Sequence, residues 1–124
     1  MSERETAALR FGWISLALTN LAVLVFGVVV ALAPTRNASY YRAIGVASIG
    51  MGLFGFAVSA AAYRRREKWA WLTLWYLPLF WMAHLVWRLP PGRDHVHQVV
   101  LAALSLLGLI VPVRDFFPRT TPPN

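Results

Sequence analysis

Cysteine is absent from the 124 residues, so disulfides, thiolate metal sites and thiol redox chemistry are excluded. Charge is scarce: Asp, Glu, Lys and Arg make up 14% of the chain, against about a quarter in ordinary soluble domains. Acid is scarcer still. The five carboxylates, Glu3, Glu5, Glu67, Asp94 and Asp115, all stand outside the long apolar runs or at their edges. No intramembrane acid is on hand for a proton relay or for binding a cation. Nucleophilic catalysis lacks its parts as well. Ser15, Ser48, Ser59 and Ser105 have no acid–base pair spaced around them, and no Gly-x-Ser-x-Gly elbow occurs. A phosphate-cradling glycine loop is also missing. These absences point away from an enzyme and from a resident cofactor.

What is present is apolar length. Hydrophobic residues make up 58% of the chain, and the charges sit in short clusters between uncharged windows. That is the pattern a bilayer demands, because a charge at mid-membrane costs about 2.5–3.5 kcal/mol even on the lenient insertion scale. A span needs about 20 mostly apolar residues. The windows predict four spans, at about 11–33, 43–63, 69–87 and 96–113, within one membrane domain covering 1–124. The expected fold class is all-α, an integral membrane up-down four-helix bundle. The fourth window is the weakest, since His95, His97 and Gln98 occupy its start. Arg4, Arg10 and Ala31-Leu32-Ala33 imitate a secretory signal, but the apolar run between them exceeds a signal's roughly 7–15 residues. Asn37-Ala38-Ser39 matches a glycosylation acceptor and is read as chance.

Net charge is +7. In a soluble chain this would suggest nucleic acid. Here the basic residues flank apolar runs, so they set topology and meet anionic lipid headgroups instead, at Arg64, Arg65, Arg66 and Lys68 above all. One side of the four-span arrangement collects eight cations, Arg4, Arg10, Arg64, Arg65, Arg66, Lys68, Arg114 and Arg119. The other collects four, Arg36, Arg42, Arg88 and Arg93. The bias predicts a multi-pass protein with N- and C-termini in the cytoplasm.

Helices in lipid associate through close backbone approach rather than hydrophobic drive. Span 2 carries the means: Gly45, Ser48, Gly52, Gly55, Ser59 and Ala62 succeed one another at spacings of 3, 4, 3, 4 and 3. A period of 3.5 puts all six on one seam. That seam serves either packing within the bundle or a homo-oligomer or partner interface. Span 3 is rich in tryptophan. Trp69, Trp71 and Trp87 stand at its ends, where amphipathic rings favour the headgroup level, while Trp75 and Trp81 lie deeper. Pro78 interrupts this span and frees the Leu74 carbonyl. Asn20, the intramembrane polar residue of span 1, shares a depth with that break, so it is expected to bond across to span 3 with the Leu74 carbonyl as acceptor.

Three histidines and a carboxylate fall toward the outer side: His84 near the end of span 3, and Asp94, His95 and His97 at the start of span 4. Imidazoles with a carboxylate suit zinc or copper, and His titrates near neutral pH. Against a metal, His95 and His97 point to opposite faces if helical, and Arg88 and Arg93 would repel a cation. Interfacial histidines bonded to backbone or headgroups are the plainer reading.

Arg64-Arg65-Arg66-Glu67-Lys68-Trp69-Ala70-Trp71, followed by Pro78 and His84, resembles a pattern in small four-span bacterial membrane proteins, similar in layout to the DoxX-like group. The resemblance covers about spans 2 and 3. It implies a bacterial inner-membrane location and an up-down bundle, and supplies no catalytic residues. Size and span count also match the small multidrug-resistance transporters, but that family looks to a glutamate in its first span where this chain offers Thr19 and Asn20. The expectation is a non-enzymatic accessory or interaction subunit acting through helix contacts. The rivals are a small transporter or channel, and a ligand- or redox-cofactor-binding membrane protein using His84 or the Trp-rich span.

Overall fold

The computed structural model describes residues 5–88 and 95–120, and all regular structure among them is helical. Helix α1 runs Ala7–Leu32, and α2 runs Ala38–Val58 before continuing directly into a π-helical turn, Ser59–Tyr63. Next come α3 (Lys68–Thr73) and α4 (Tyr76–Val86), then α5 (Val96–Ile110) and the short α6 (Val113–Phe116). Taken by chain direction these make four rods. Three of them, Ala7–Leu32, Ala38–Tyr63 and Val96–Phe116, are long and apolar enough to cross a membrane. The third rod differs from the expected single helix over 69–87. It breaks at Leu74–Trp75, so neither of its halves has that length alone.

The breaks arise from three prolines, each of which lacks the N–H that its i−4 carbonyl would receive. Before Pro34, the freed Val30 carbonyl accepts from Ala33 N–H at 3.3 Å as α1 ends. Before Pro78, the freed Leu74 carbonyl accepts from Leu77 N–H at 3.1 Å, a tighter i→i+3 bond that breaks the rod. Before Pro112, the freed Gly108 carbonyl finds no local donor. It accepts instead from the Tyr63 hydroxyl, 2.6 Å away on the π turn.

Alternating direction is visible in the close approaches. Gly27 meets Gly45, Leu24 meets Gly52 and Asn20 meets Gly55, so α1 and α2 are antiparallel. Gly12 lies against both Gly108 and Pro112, and Thr6 bonds Asp115 at 3.0 Å, so α1 and the α5–α6 rod are antiparallel too. Helix α1 is the central element, with ten buried residues against five each on α2 and α5. Polarity is inverted relative to a soluble protein. Ser15, Thr19, Asn20, Ser48, Ser59, Gln98 and Ser105 are buried. Leu18, Val29, Leu53, Phe54, Leu79, Val86 and Val100 are exposed. An exterior of this kind fits hydrocarbon, where each unsatisfied polar group would cost several kcal/mol.

Candidate functional site

The polar centre of the bundle is Asn20, which is fully buried. Its Nδ2 donates to the Leu16 carbonyl one turn back at 2.8 Å and to Ser59 Oγ at 3.3 Å. Its Oδ1 accepts from the Tyr76 hydroxyl at 2.5 Å. That hydroxyl also lies 3.1 Å from the Met51 carbonyl, and Ser59 in turn donates to the Gly55 carbonyl at 2.7 Å. The junction ties α1, the π turn and α4 at one level. Both amide hydrogens and the amide oxygen are engaged, so the geometry is that of a closed clamp. Asn20 does reach the third rod, but through Tyr76. The expected Leu74 acceptor is corrected: the Asn20 amide donates to Leu16 and Ser59 instead, and the Leu74 carbonyl accepts from Leu77 N–H.

All six seam residues, Gly45, Ser48, Gly52, Gly55, Ser59 and Ala62, are buried. The glycines lie against α1 of the same chain. A Cβ on Gly45 would sit 2.5 Å from the Gly27 carbonyl oxygen and one on Gly27 would sit 2.6 Å from that of Gly45, so the two backbones touch. A Cβ on Gly52 would come within 2.8 Å of the Asn20 carbonyl, and one on Gly55 would collide with the Asn20 amide and the Tyr76 hydroxyl. Gly50, off the seam, has nothing within 4 Å.

Sequence reasoning passed over several residues. On α1, Gly27 answers the seam and stands seven residues from Asn20, the same heptad position, which was a usable signal. Gly12 and Gly108 form a second close approach, between α1 and α5, where a Cβ on Gly12 would sit 2.8 Å from the Gly108 carbonyl. Tyr63 and Tyr76, whose hydroxyls donate from one rod to another, gave no periodic signal. Trp71 Nε1 adds another tie, donating to the Leu109 carbonyl at 2.9 Å where α5 is about to end.

The histidines sit in different surroundings. His84 packs in an aromatic group, with ring centroids 4.2 Å from Phe80 and 5.4 Å from Phe26. Its Nδ1 lies 2.7 Å from the Phe80 carbonyl, which can only accept, so Nδ1 carries the proton. His95 Nδ1 lies 3.0 Å from Gln98 Oε1, and His97 is exposed. Asp94 and Arg93 lie outside the described residues. Among those described, no three of His, Cys, Asp or Glu come together. Trp81 is 1% exposed, and its indole N–H has no acceptor among the described residues.

At the opposite end, Glu5 gathers Arg64 at 3.6 Å, Arg10 at 4.0 Å and the Trp13 indole N–H. Arg64 also stacks over Trp13, 5.1 Å from the ring centre. Arg65 pairs with Glu67 at 3.0 Å, Trp69 Nε1 donates to Glu67, and Lys68 sits over Phe117. The turn itself is a helix-ending motif in which Glu67 N–H donates to the Ala62 carbonyl and Arg66 N–H to that of Tyr63. Arg66 occupies the left-handed position, φ 62°, where glycine is the usual residue and another side chain costs about 1–2 kcal/mol. No family model, curated protein or solved structure matches the chain.

Proposed function

We propose that this chain is an integral membrane protein of a bacterial inner membrane, with four passes and both termini cytoplasmic, that acts as a non-enzymatic accessory or interaction subunit through helix contacts. The observation that carries the reading is the inverted polarity: amide and hydroxyl groups are buried, and meet at Asn20 of the central helix, while large apolar side chains face outward. The broken third rod supplies the remaining pass. Its residues 68–86 would span about 28 Å at 1.5 Å each, near the roughly 30 Å of a hydrocarbon core. The Thr6–Asp115 bond brings both described ends to the Arg64–Lys68 end of the bundle, and the positive-inside bias makes that end cytoplasmic.

Against a pore or carrier, the mid-depth polar groups are engaged within the bundle: Asn20 bonds Ser59 and Tyr76, and Thr19 and Ser105 donate to backbone carbonyls of their own helices. The test has two parts. Alkaline carbonate should fail to extract the chain from membranes, and single cysteines at Ala7 and Thr120 should resist an impermeant reagent in intact cells while one at Ser39 reacts. Purification in gentle detergent should then recover a second copy or a membrane-protein partner. A lone monomer that carries solute flux in proteoliposomes would overturn the interaction reading.

A further inference from the structure

The Arg64–Lys68 turn does more than carry charge; it walls a cleft of about 930 Å³ between the start of α1 and the end of the π turn. Its lining combines Arg64, Arg65 and Arg66 with Ala60 and Ala61 one turn earlier on the same rod, and with Leu9 of α1, which is itself only 2% exposed. Glu5 is the one acid in the lining and pairs with Arg64 at 3.6 Å and Arg10 at 4.0 Å, while Arg65 pairs with Glu67 outside the lining, which leaves the cations in excess. We propose that this cleft is a discrete binding site for one anionic glycerophospholipid, with the headgroup phosphate among the arginines and an acyl chain against Ala60 and Ala61. This rests on the membrane reading above and names the ligand that one end of the bundle takes.

Four independent features converge on the cleft. First, its depth is right: the arginines come directly after the last turn of an apolar rod, where headgroups lie. Second, its lining joins cations to small apolar side chains, as the two halves of a lipid require, and guanidinium forks suit phosphate oxygens. Third, the backbone is irregular on both sides of Arg64. A π turn, a feature frequent at functional sites, presents the small residues Ala60 and Ala61. Arg66 then holds a left-handed position that glycine would fill without strain, and so keeps a third cation in the wall. Fourth, Arg64 is held in place by Glu5 and Trp13. The other end of the bundle offers a contrast: the 660 Å³ cleft there is lined by a single cation, Arg36, with Asn37, Ala38, Ser39 and Tyr40.

The full chain, purified in a neutral maltoside detergent, is titrated with phosphatidylglycerol, with phosphatidylcholine and with inorganic phosphate, and bound species are read by native mass spectrometry. One phosphatidylglycerol should be retained at least about tenfold more tightly than phosphatidylcholine. Arg64→Gln with Arg65→Gln should remove that preference, while Arg36→Gln with Arg42→Gln should leave it intact. Should the first pair impair folding by circular dichroism, Arg65→Gln alone, at a side chain 71% exposed, should still weaken retention. Equal retention of both lipids, or an undiminished preference in the folded arginine variants, overturns the site. Displacement by millimolar inorganic phosphate also overturns it and marks a free-anion site instead. Carbonate extraction scores the membrane reading separately, so a chain that stays in the bilayer yet shows no lipid preference refutes the cleft alone.

Discussion

Gly55→Ala adds one methyl group where the Asn20 amide and the Tyr76 hydroxyl already meet. The new Cβ would lie well inside 3.0 Å of both groups, a separation that real Cβ atoms do not show. On propensity alone the change should help, since alanine is favoured over glycine in a helix by about 0.8–1.0 kcal/mol. Against that stand the Asn20–Tyr76 bond, worth about 0.6 and at most roughly 1.7 kcal/mol inside a membrane bundle, and overpacking of about 1–3 kcal/mol. The clash outweighs the propensity, for a net loss of about 1–3 kcal/mol. Gly50→Ala is the matched control on the same helix: with nothing within 4 Å of its Cβ, it should be neutral or slightly stabilising. Both are read in mixed micelles by denaturing-detergent titration of the fluorescence of the six tryptophans. A cycle then locates the cause, because in an Asn20→Ala, Tyr76→Phe background the obstructing atoms are gone and Gly55→Ala should cost much less. Gly55→Ala matching the wild type in stability, or Gly50→Ala proving as harmful, would refute the reasoning.

Tyr63→Phe should cost about 0.6–2 kcal/mol by leaving the Gly108 carbonyl without a donor, and Pro112→Ala, which restores a backbone N–H in register, should make that loss smaller; additive losses in the same titration would reject the link. Gly52→Leu should separate α1 from α2 and lower the midpoint of unfolding sharply, whereas Ala57→Leu on the exposed face should be tolerated; equal effects would remove the seam. Gly12→Leu should be comparably damaging through α5, with loss of resistance to proteolysis as the measurement, and native-like resistance would contradict the second crossing. Added zinc should leave thermal stability unchanged, because no three of His, Cys, Asp or Glu come together among the described residues and the His84 ring is packed among aromatics; a midpoint raised by zinc in the wild type but not in His84→Ala would point to a metal site after all.

Much of the packing was legible because helices whose backbones touch need small residues along the line of contact. A run of small residues at a 3.5 period can only form one stripe, and the stripe on α2 was readable for that reason. Its mate was harder to see. Gly27 stands alone in a valine-rich stretch, and its significance comes from Gly45 across the gap. Depth was legible too: counting from the charge clusters placed Asn20 level with the break before Pro78. The bonding partner was misjudged because the count treated the Leu74 carbonyl as free. A proline releases its i−4 carbonyl, but where the chain can tighten locally, the i+3 amide closes the gap first.

That distinction also explains why Pro78 and Pro112 act differently on their rods. At Pro78 the rod bends around its own tighter bond, and the tertiary contact comes from the Tyr76 side chain two residues earlier. At Pro112 no amide reaches back to Gly108, so the carbonyl stays open toward the bundle and the Tyr63 hydroxyl fills it. Tyr63 is the last residue of the π turn, and the extra residue in that wider turn rotates the later residues around the helix face relative to an α-helical continuation. The same turn thus places Tyr63 inward against α5 and Ala60 and Ala61 toward the arginine-lined cleft. A substitution that converts the π turn to plain α-helix should therefore disturb both together: the Tyr63–Gly108 bond, seen as lost stability, and the cleft, seen as lost lipid preference. Loss of one without the other would mean that the turn does not couple them.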